Sequence, residues 1–517
     1  MKITKNFTDP INGFSLDISA ISSLDKLPES FADKFTRVNQ EMAKIEAGEI
    51  KNPDENRKVT HFTDRPEYLA SPLFAAAEEF AKLIRDGKIT NKAGNPFTSF
   101  VVNGIGGSAL GPQLMNFAIN GPYWNELSAN KRQNGLKIYF TDNTDSSGIT
   151  DVLEVVDIEE TLIINVSKSG GTKETYNNMI SFQAAYQAAG LTFADYAVAI
   201  TMEGSKLDNK AKSENWLKVF PLADSVGGRT SEASIVGHLP ATLTGIDFGQ
   251  FLTGAIKMDE MTRVQDYNQN PAYMLATCWY ATGAGKGDKN MVIVPYSDRL
   301  LMLSRYMQQL VMESIGKRLD LDGNVVEQGL NVFGNKGGTD AHAFIQQLND
   351  GRNDFFITFI EVLKDRKVLP CDNGCTMGDY LHSFKGGLSN ALQANNREVI
   401  DIVIDDIDAF HLGMIIALYE RAVAAYAEMV NINAFHQPGV EAYKHAGNKL
   451  LAFYEDLYGF IAKNSGFVGS ALEIAEKMKS TDGVVDIEGI LIKMSLNTDA
   501  VSKSWNASNC TWIYSIA

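Results

Sequence analysis

The chain has 517 residues, 44% hydrophobic and 21% charged, with 43 glycines against 14 prolines and a formal net charge of -16. Such a length and balance exclude a disordered chain and fit roughly two to four packed units with large cores. The negative charge excludes a nucleic-acid surface or an anionic membrane as partner, so an anionic ligand needs a local basic patch, for which Lys168, Arg229, Lys317 and Lys444 are candidates.

The first ten residues lack the continuous apolar run of a leader, and no later stretch reaches the roughly 18 uninterrupted apolar residues of a membrane span, so a cytoplasmic protein is expected. Residues 1–90 are polar and helix-leaning, with apolar positions such as Phe31, Phe35 and Val38, then Leu69, Phe74, Phe80 and Leu83. From Ser99 the pattern changes to short, uniformly apolar runs at 99–102, 137–140, 161–164 and 196–200. A second series lies at 290–294, 355–359 and 400–404, separated by helical stretches at 300–317 and 407–429. Runs of this kind predict parallel strands covered by helices on both faces.

The fold class is therefore α/β, with two doubly wound parallel-sheet domains in tandem at 91–245 and 246–450. A helical N-terminal region at 1–90 precedes them and a C-terminal helical arm at 451–517 follows. The segment from Asp247 to Asp266 reads as a helical link, and a long helix is predicted from Gly439 to about Lys463. The four cysteines, Cys278, Cys371, Cys375 and Cys510, are too few to staple such a chain. Cys371 and Cys375 lack a second Cys/His pair at zinc spacing and read as free thiols, and no metal site is predicted.

Two turns follow predicted strands. The turn from Gly104 to Ser108 holds three glycines, including Gly107, that allow close approach to backbone N–H groups, and Ser108 stands where a helix would begin. Its Gly-x-Gly-Gly-Ser spacing departs from the dinucleotide fingerprint. The second turn, Ser167-Lys168-Ser169-Gly-Gly-Thr172, offers hydroxyls, one cation and a helix N-terminus, which together suit a phosphate on a small molecule. A plain helix cap is the competing reading of the same residues. Together the two turns predict a pocket at the C-terminal edge of one sheet.

These two turns, with Gly227-Gly228-Arg229-Thr230-Ser231, Glu313-Ser-Ile-Gly-Lys317, Gly338-Thr-Asp-Ala-His342 and Gln437-Pro-Gly-Val-Glu-Ala-Tyr-Lys444, resemble in order and context the glucose-6-phosphate isomerase family of the sugar-isomerase fold. The resemblance implies reversible aldose–ketose isomerisation of glucose 6-phosphate and fructose 6-phosphate, a step of glycolysis and gluconeogenesis. It passes through ring opening and a cis-enediolate. Glu313 matches the base that moves the proton between C2 and C1, Arg229 the cation facing the enediolate, and His342, assisted by Lys444, the ring-opening group. Gly107, Ser108, Ser167, Lys168, Ser169, Thr172, Gln309 and Gln437 match positions that bind phosphate or sugar oxygens. No cofactor is implied, because the hydrogen moves as a proton. The partners implied are a sugar phosphate and a second copy of the chain, since the residue matching His342 reaches a neighbouring subunit's site in the family.

Thr230 stands where the family usually has an aromatic residue, Ile315 replaces a usual asparagine, His436 a common aspartate, and the His342 motif is one residue short. None of these removes a catalytic group. Two other readings stand beside the first: a bifunctional phosphoglucose/phosphomannose isomerase, and a non-catalytic phosphosugar-binding regulator. Retention of Glu313, Arg229, His342 and Lys444 together speaks against the second. His238 and His411 are expected to be buried or capping.

Overall fold

A computed structural model describes residues 3–52, 56–478 and 484–517; the side chains of 441–446, 449 and 484–486 lie outside the description. The chain divides into two compact units, Met1–His436 and Gln437–Ala517.

The first unit holds two parallel sheets. One has five strands in the order Lys137–Thr141, Ser99–Asn103, Thr161–Val166, Ala197–Thr201, Lys218–Pro221, and every neighbouring pair is parallel. All residues of Ser99–Asn103, Thr161–Val166 and Ala197–Thr201 are buried, which is why their sequences are apolar on both faces. The chain leaves Ser99–Asn103 for one neighbour and then returns to its other side at Thr161–Val166. The loops after these two adjacent strands therefore diverge at a switch point, where such sheets leave a crevice.

The other sheet has six strands in the order Asn6–Asp9, Phe14–Asp17, Val399–Ile404, Phe355–Val362, Asn290–Tyr296, Val332–Phe333. Its last four strands are parallel; three of them are the predicted apolar runs, and Val332–Phe333 was not predicted. The hairpin of residues 6–17 adds an antiparallel edge, with Leu16 opposite Ile402. The N-terminal region thus carries strands as well as the expected helices Ala32–Glu46 and Pro72–Arg85. The second of these helices begins with Ser71 accepting from the Phe74 N–H and Pro72 in the first turn.

Helix Ala409–Met429 is buried on every side, with Phe410 alone only partly so, and packs across helix Phe248–Thr262, the predicted link. Glycines set the approach: a Cβ on Gly254 would lie 1.8 Å from the Phe410 carbonyl oxygen, and one on Gly413 would lie 2.1 Å from that of Phe251. Between these helices Arg65, fully buried, bonds both Asp259 and Glu420, and Arg421 pairs with Asp259 at 3.5 Å and with Glu46 at 2.7 Å.

His238 and His411 sit as expected. His238 is buried between Tyr68 and Glu78, at 2.9 and 2.8 Å, and His411 lies in the first turn of its helix, bonded to Asp408. All four cysteines are free, and no described helix is long and apolar enough to cross a membrane.

The second unit contains the long helix Pro438–Lys463, helices Ala471–Met478 and Val484–Asn497, and a three-stranded antiparallel sheet in the order Val468–Gly469, Thr511–Ile516, Val501–Asn506. Leu457, Ile474, Leu491 and Tyr514 give it a core of its own.

Candidate active site

Both turns leave the first sheet at the switch point. Helix Gly107–Met115 follows Ser99–Asn103 through Gly106, whose φ of +58° lies in the left-handed region that favours glycine. A Cβ on Gly104 would meet Val166 at 3.2 Å, so the two turns touch at their roots. A Cβ on Gly107 would lie 1.8 Å from the Gly228 carbonyl oxygen, and one on Gly106 would lie 2.9 Å from Gln309 Nε2. Four of the sequence motifs therefore converge here: the Gly104 turn, the Ser167 turn, the Arg229 segment and the helical stretch bearing Gln309. Ser231 fastens two of them, its hydroxyl donating to the carbonyls of Gly107 at 3.2 Å and Gly228 at 2.7 Å.

In the second turn Ser167 is buried and its hydroxyl donates to Thr172 Oγ1 at 3.1 Å, while Ser169 is exposed and accepts from the Gly171 N–H at 3.2 Å. Gly170, at φ +66°, lets the loop lie on the backbone of Leu207. Thr172 precedes helix Lys173–Ala188 without capping it through its side chain. Hence the hydroxyl at the cap position is not committed to the helix, which favours the phosphate reading over the plain cap. Lys168 pairs with Asp224, 3.2 Å away, and bonds the Asp224 carbonyl.

Glu313 and Arg229, 84 residues apart in sequence, come together in the fold. Arg229 is 8% exposed; one Nη donates to the carbonyls of Ala434 and His436 at 2.8 and 3.2 Å, and the other lies 3.5 Å from Glu313 Oε2. That carboxylate oxygen is buried and accepts no hydrogen bond among the described residues. Such an oxygen is poorly placed for stability and well placed to take a proton. Glu313 stands at the end of a π-helical stretch, Gln308–Met312, a widened helix turn found often at functional sites.

Lys317, read from sequence only as a candidate for a basic patch, lies against this pair, and Glu232, three residues after Arg229 in the chain, was not singled out. Lys317 is buried and donates to the carbonyls of Glu313 and Ser314 at 2.9 and 2.7 Å; burial and the Arg229 guanidinium bring its ammonium down to about 7. Glu232 is buried against Gly111 and Gly237, neither of its oxygens accepts a bond among the described residues, and burial pushes its carboxyl well up. Glycines in the neighbouring helices were the only trace of it in the sequence.

His342 ends the short turn Thr339–His342 and is exposed. Its loop is fixed by buried Asp340, which accepts from the Asn335 backbone and side chain at 2.9 and 3.1 Å. Gln437 and Lys444 belong to the second unit, Gln437 directly before helix Pro438–Lys463 and Lys444 within it; the Lys444 side chain lies outside the described residues.

The family model described as phosphoglucose isomerase matches residues 19–383 and 388–457. The chain belongs to this family. A glucose-6-phosphate isomerase of Geobacter sulfurreducens is 45% identical over 505 residues, covering 95% of this chain and 93% of that one. One from a Nostoc species is 46% identical over 502 residues with the same coverage. Among solved structures, a glucose-6-phosphate isomerase from Chlamydia trachomatis superposes with a TM-score of 0.75 at 25% identity, over 87% of this chain and 90% of that one. The phosphoglucose isomerase match spans the Gly104, Ser167, Arg229, Glu313, His342 and Lys444 motifs alike.

Proposed function

We propose that the chain interconverts glucose 6-phosphate and fructose 6-phosphate, with Glu313 as the base. The observation that carries this reading is the buried Glu313 oxygen, which accepts no hydrogen bond among the described residues and lies 3.5 Å from Arg229, where four motifs converge. The phosphate rests on the Ser167–Thr172 turn through the hydroxyls of Ser167, Ser169 and Thr172, with Lys168 supplying charge. Gly107, Ser108 and Gln309 face the sugar. The anchored phosphate holds C1 and C2 against the base, which is what a proton transfer over a short path requires.

From the open-chain aldose, Glu313 takes the C2 proton, leaving an enediolate whose charge Arg229 meets. The carboxylic acid so formed returns the proton to C1, while a proton passes between O2 and O1 to complete the ketose. Before that, the ring must open by proton movement between the ring oxygen and the anomeric hydroxyl. We assign this to His342, an imidazole, whose two ring nitrogens let it donate one proton and accept another. Roles for Gln437 and Lys444 rest on their motif alone.

In deuterated water, with a chelator present, fructose 6-phosphate is expected to give glucose 6-phosphate carrying deuterium at C2. Product without solvent deuterium under slow turnover would point to a hydride path, and absence of turnover with phosphosugar still bound would favour the regulator. Mannose 6-phosphate assayed in parallel separates the bifunctional reading.

The working form is a homodimer located in the cytoplasm. The exposure of His342, on a loop fixed from within, supports its service to the other subunit's site. Glu313→Gln and His342→Ala, each inactive alone, are therefore expected to recover about a quarter of wild-type activity when unfolded and refolded together, because half the dimers are mixed and each has one complete site. No recovery, with mixed dimers present by mass, would place His342 in its own subunit's site.

A further inference from the structure

The helical run that carries Glu313 stops abruptly. Ile315 is its last residue, and Gly316 turns extended at ψ 94°. A helix end leaves carbonyls without partners and concentrates negative potential there. The Gly316 N–H answers the Met312 carbonyl at 2.9 Å, and the next two carbonyls, those of Glu313 and Ser314, are answered by one ammonium, that of Lys317. Lys317 opens the strand Lys317–Leu319, paired with Val325–Gln328, so its backbone is tied to Gln328 while its side chain folds back over the helix end. It is 4% exposed.

We propose that Lys317 is a positioning residue for the isomerisation, holding the backbone of Glu313 so that its carboxylate stays aimed at the substrate carbons. The inference rests on the reading of Glu313 as base. Lys317 does not act through the carboxylate oxygens, since both its bonds go to main-chain carbonyls. The placement is costly for a lysine. Burial and Arg229 act against its charge, Glu313 acts for it, and the balance brings the ammonium down to about 7. A surface lysine capping the same helix end would avoid that cost, so the buried position answers to the geometry of residue 313.

Lys317→Met keeps the apolar stem of the side chain, shorter by the terminal nitrogen, and removes its donors. It is expected to lower kcat by about 10²-fold while leaving KM for fructose 6-phosphate within about threefold, because misplacing a base by a fraction of an ångström weakens proton transfer more than binding. Combined with Glu313→Asp, which moves the carboxylate by other means, its effect on kcat is expected to be far from additive. An unchanged kcat with only a lowered melting temperature, or strictly additive effects, would overturn the proposal. Lys317→Gln, which retains a donor, serves if the methionine variant does not fold. Glu313→Gln run alongside distinguishes the outcomes: if that variant keeps wild-type turnover, the base assignment fails, whereas if it is inactive and Lys317→Met is not impaired, only the positioning role fails.

Discussion

Glu313→Gln is expected to reduce turnover by about 10²- to 10⁴-fold, the contribution usual for a positioned base, and to leave phosphosugar binding within about threefold of the wild type. The amide has the shape of the carboxylate but no affinity for the C2 proton. It also withdraws the charge that faces Arg229 at 3.5 Å. Arg229 nevertheless keeps its bonds to the carbonyls of Ala434 and His436, so its place in the fold does not depend on Glu313. Steady-state turnover together with equilibrium binding of a non-reacting sugar phosphate measures both effects. Retained turnover would move the base to another group, and a joint loss of turnover and binding would mean that Glu313 holds the pocket rather than the proton.

The largest expected effect on stability lies away from the site, at Arg65. Lys or Met at that position cannot bridge Asp259 and Glu420 with a planar fork, and all three groups are buried. Removing one partner of a buried ionic group costs about 3–5 kcal/mol because the other charge is left without compensation. Arg65→Met is expected near the lower end of that range. Asp259 keeps Arg421 at 3.5 Å, and burial with Asp259 beside it already pushes the Glu420 carboxyl up to about 8, so Glu420 takes a proton in place of its cation. The sign of the pH dependence follows. A carboxyl whose folded value lies above its unfolded value of 4.5 adds stability below that value and loses it as pH rises toward 8. Arg65 lowers that folded value, so its loss moves it higher still: urea unfolding of Arg65→Met should run parallel to the wild type from pH 5 to about 7 and go on losing stability above about pH 8, where the wild type levels off; a difference that stays flat above pH 8 would mean that Glu420 is ionised in both.

The strands of the two parallel sheets were legible because burial on both faces makes their sequences uniformly apolar. Lys218–Pro221 was not read as a strand, since it lies at the sheet edge and only Phe220 is fully buried. The hairpin of residues 6–17 escaped for a related reason: its strands bury one face, and Asn6–Asp9 has no fully buried residue at all. The short pair Val332–Phe333 is below the length at which periodicity carries information. In the candidate site, the glycine- and hydroxyl-bearing turns were visible as motifs. What could not be read was how charges are shared. Lys168 and Lys317 were read as candidates for a basic patch; Lys168 pairs with Asp224, Lys317 is turned onto main-chain carbonyls, and Glu232 was not singled out. The Lys168–Asp224 pair joins segments 56 residues apart and leaves no local pattern.

The pairing of Phe14–Asp17 with Val399–Ile404 also sets an order of events during synthesis. The strands of the first sheet are contiguous between residues 99 and 221 and can assemble as soon as they emerge from the ribosome. The opening hairpin, by contrast, must wait for a partner made about 390 residues later, which is about 20–80 s at ordinary elongation rates. During that interval Phe14 and Leu16, both buried in the finished protein, have no sheet to cover them. Nascent chains released before residue 399 therefore carry an unpaired, partly apolar edge at their N-terminus, the kind of segment that chaperones capture.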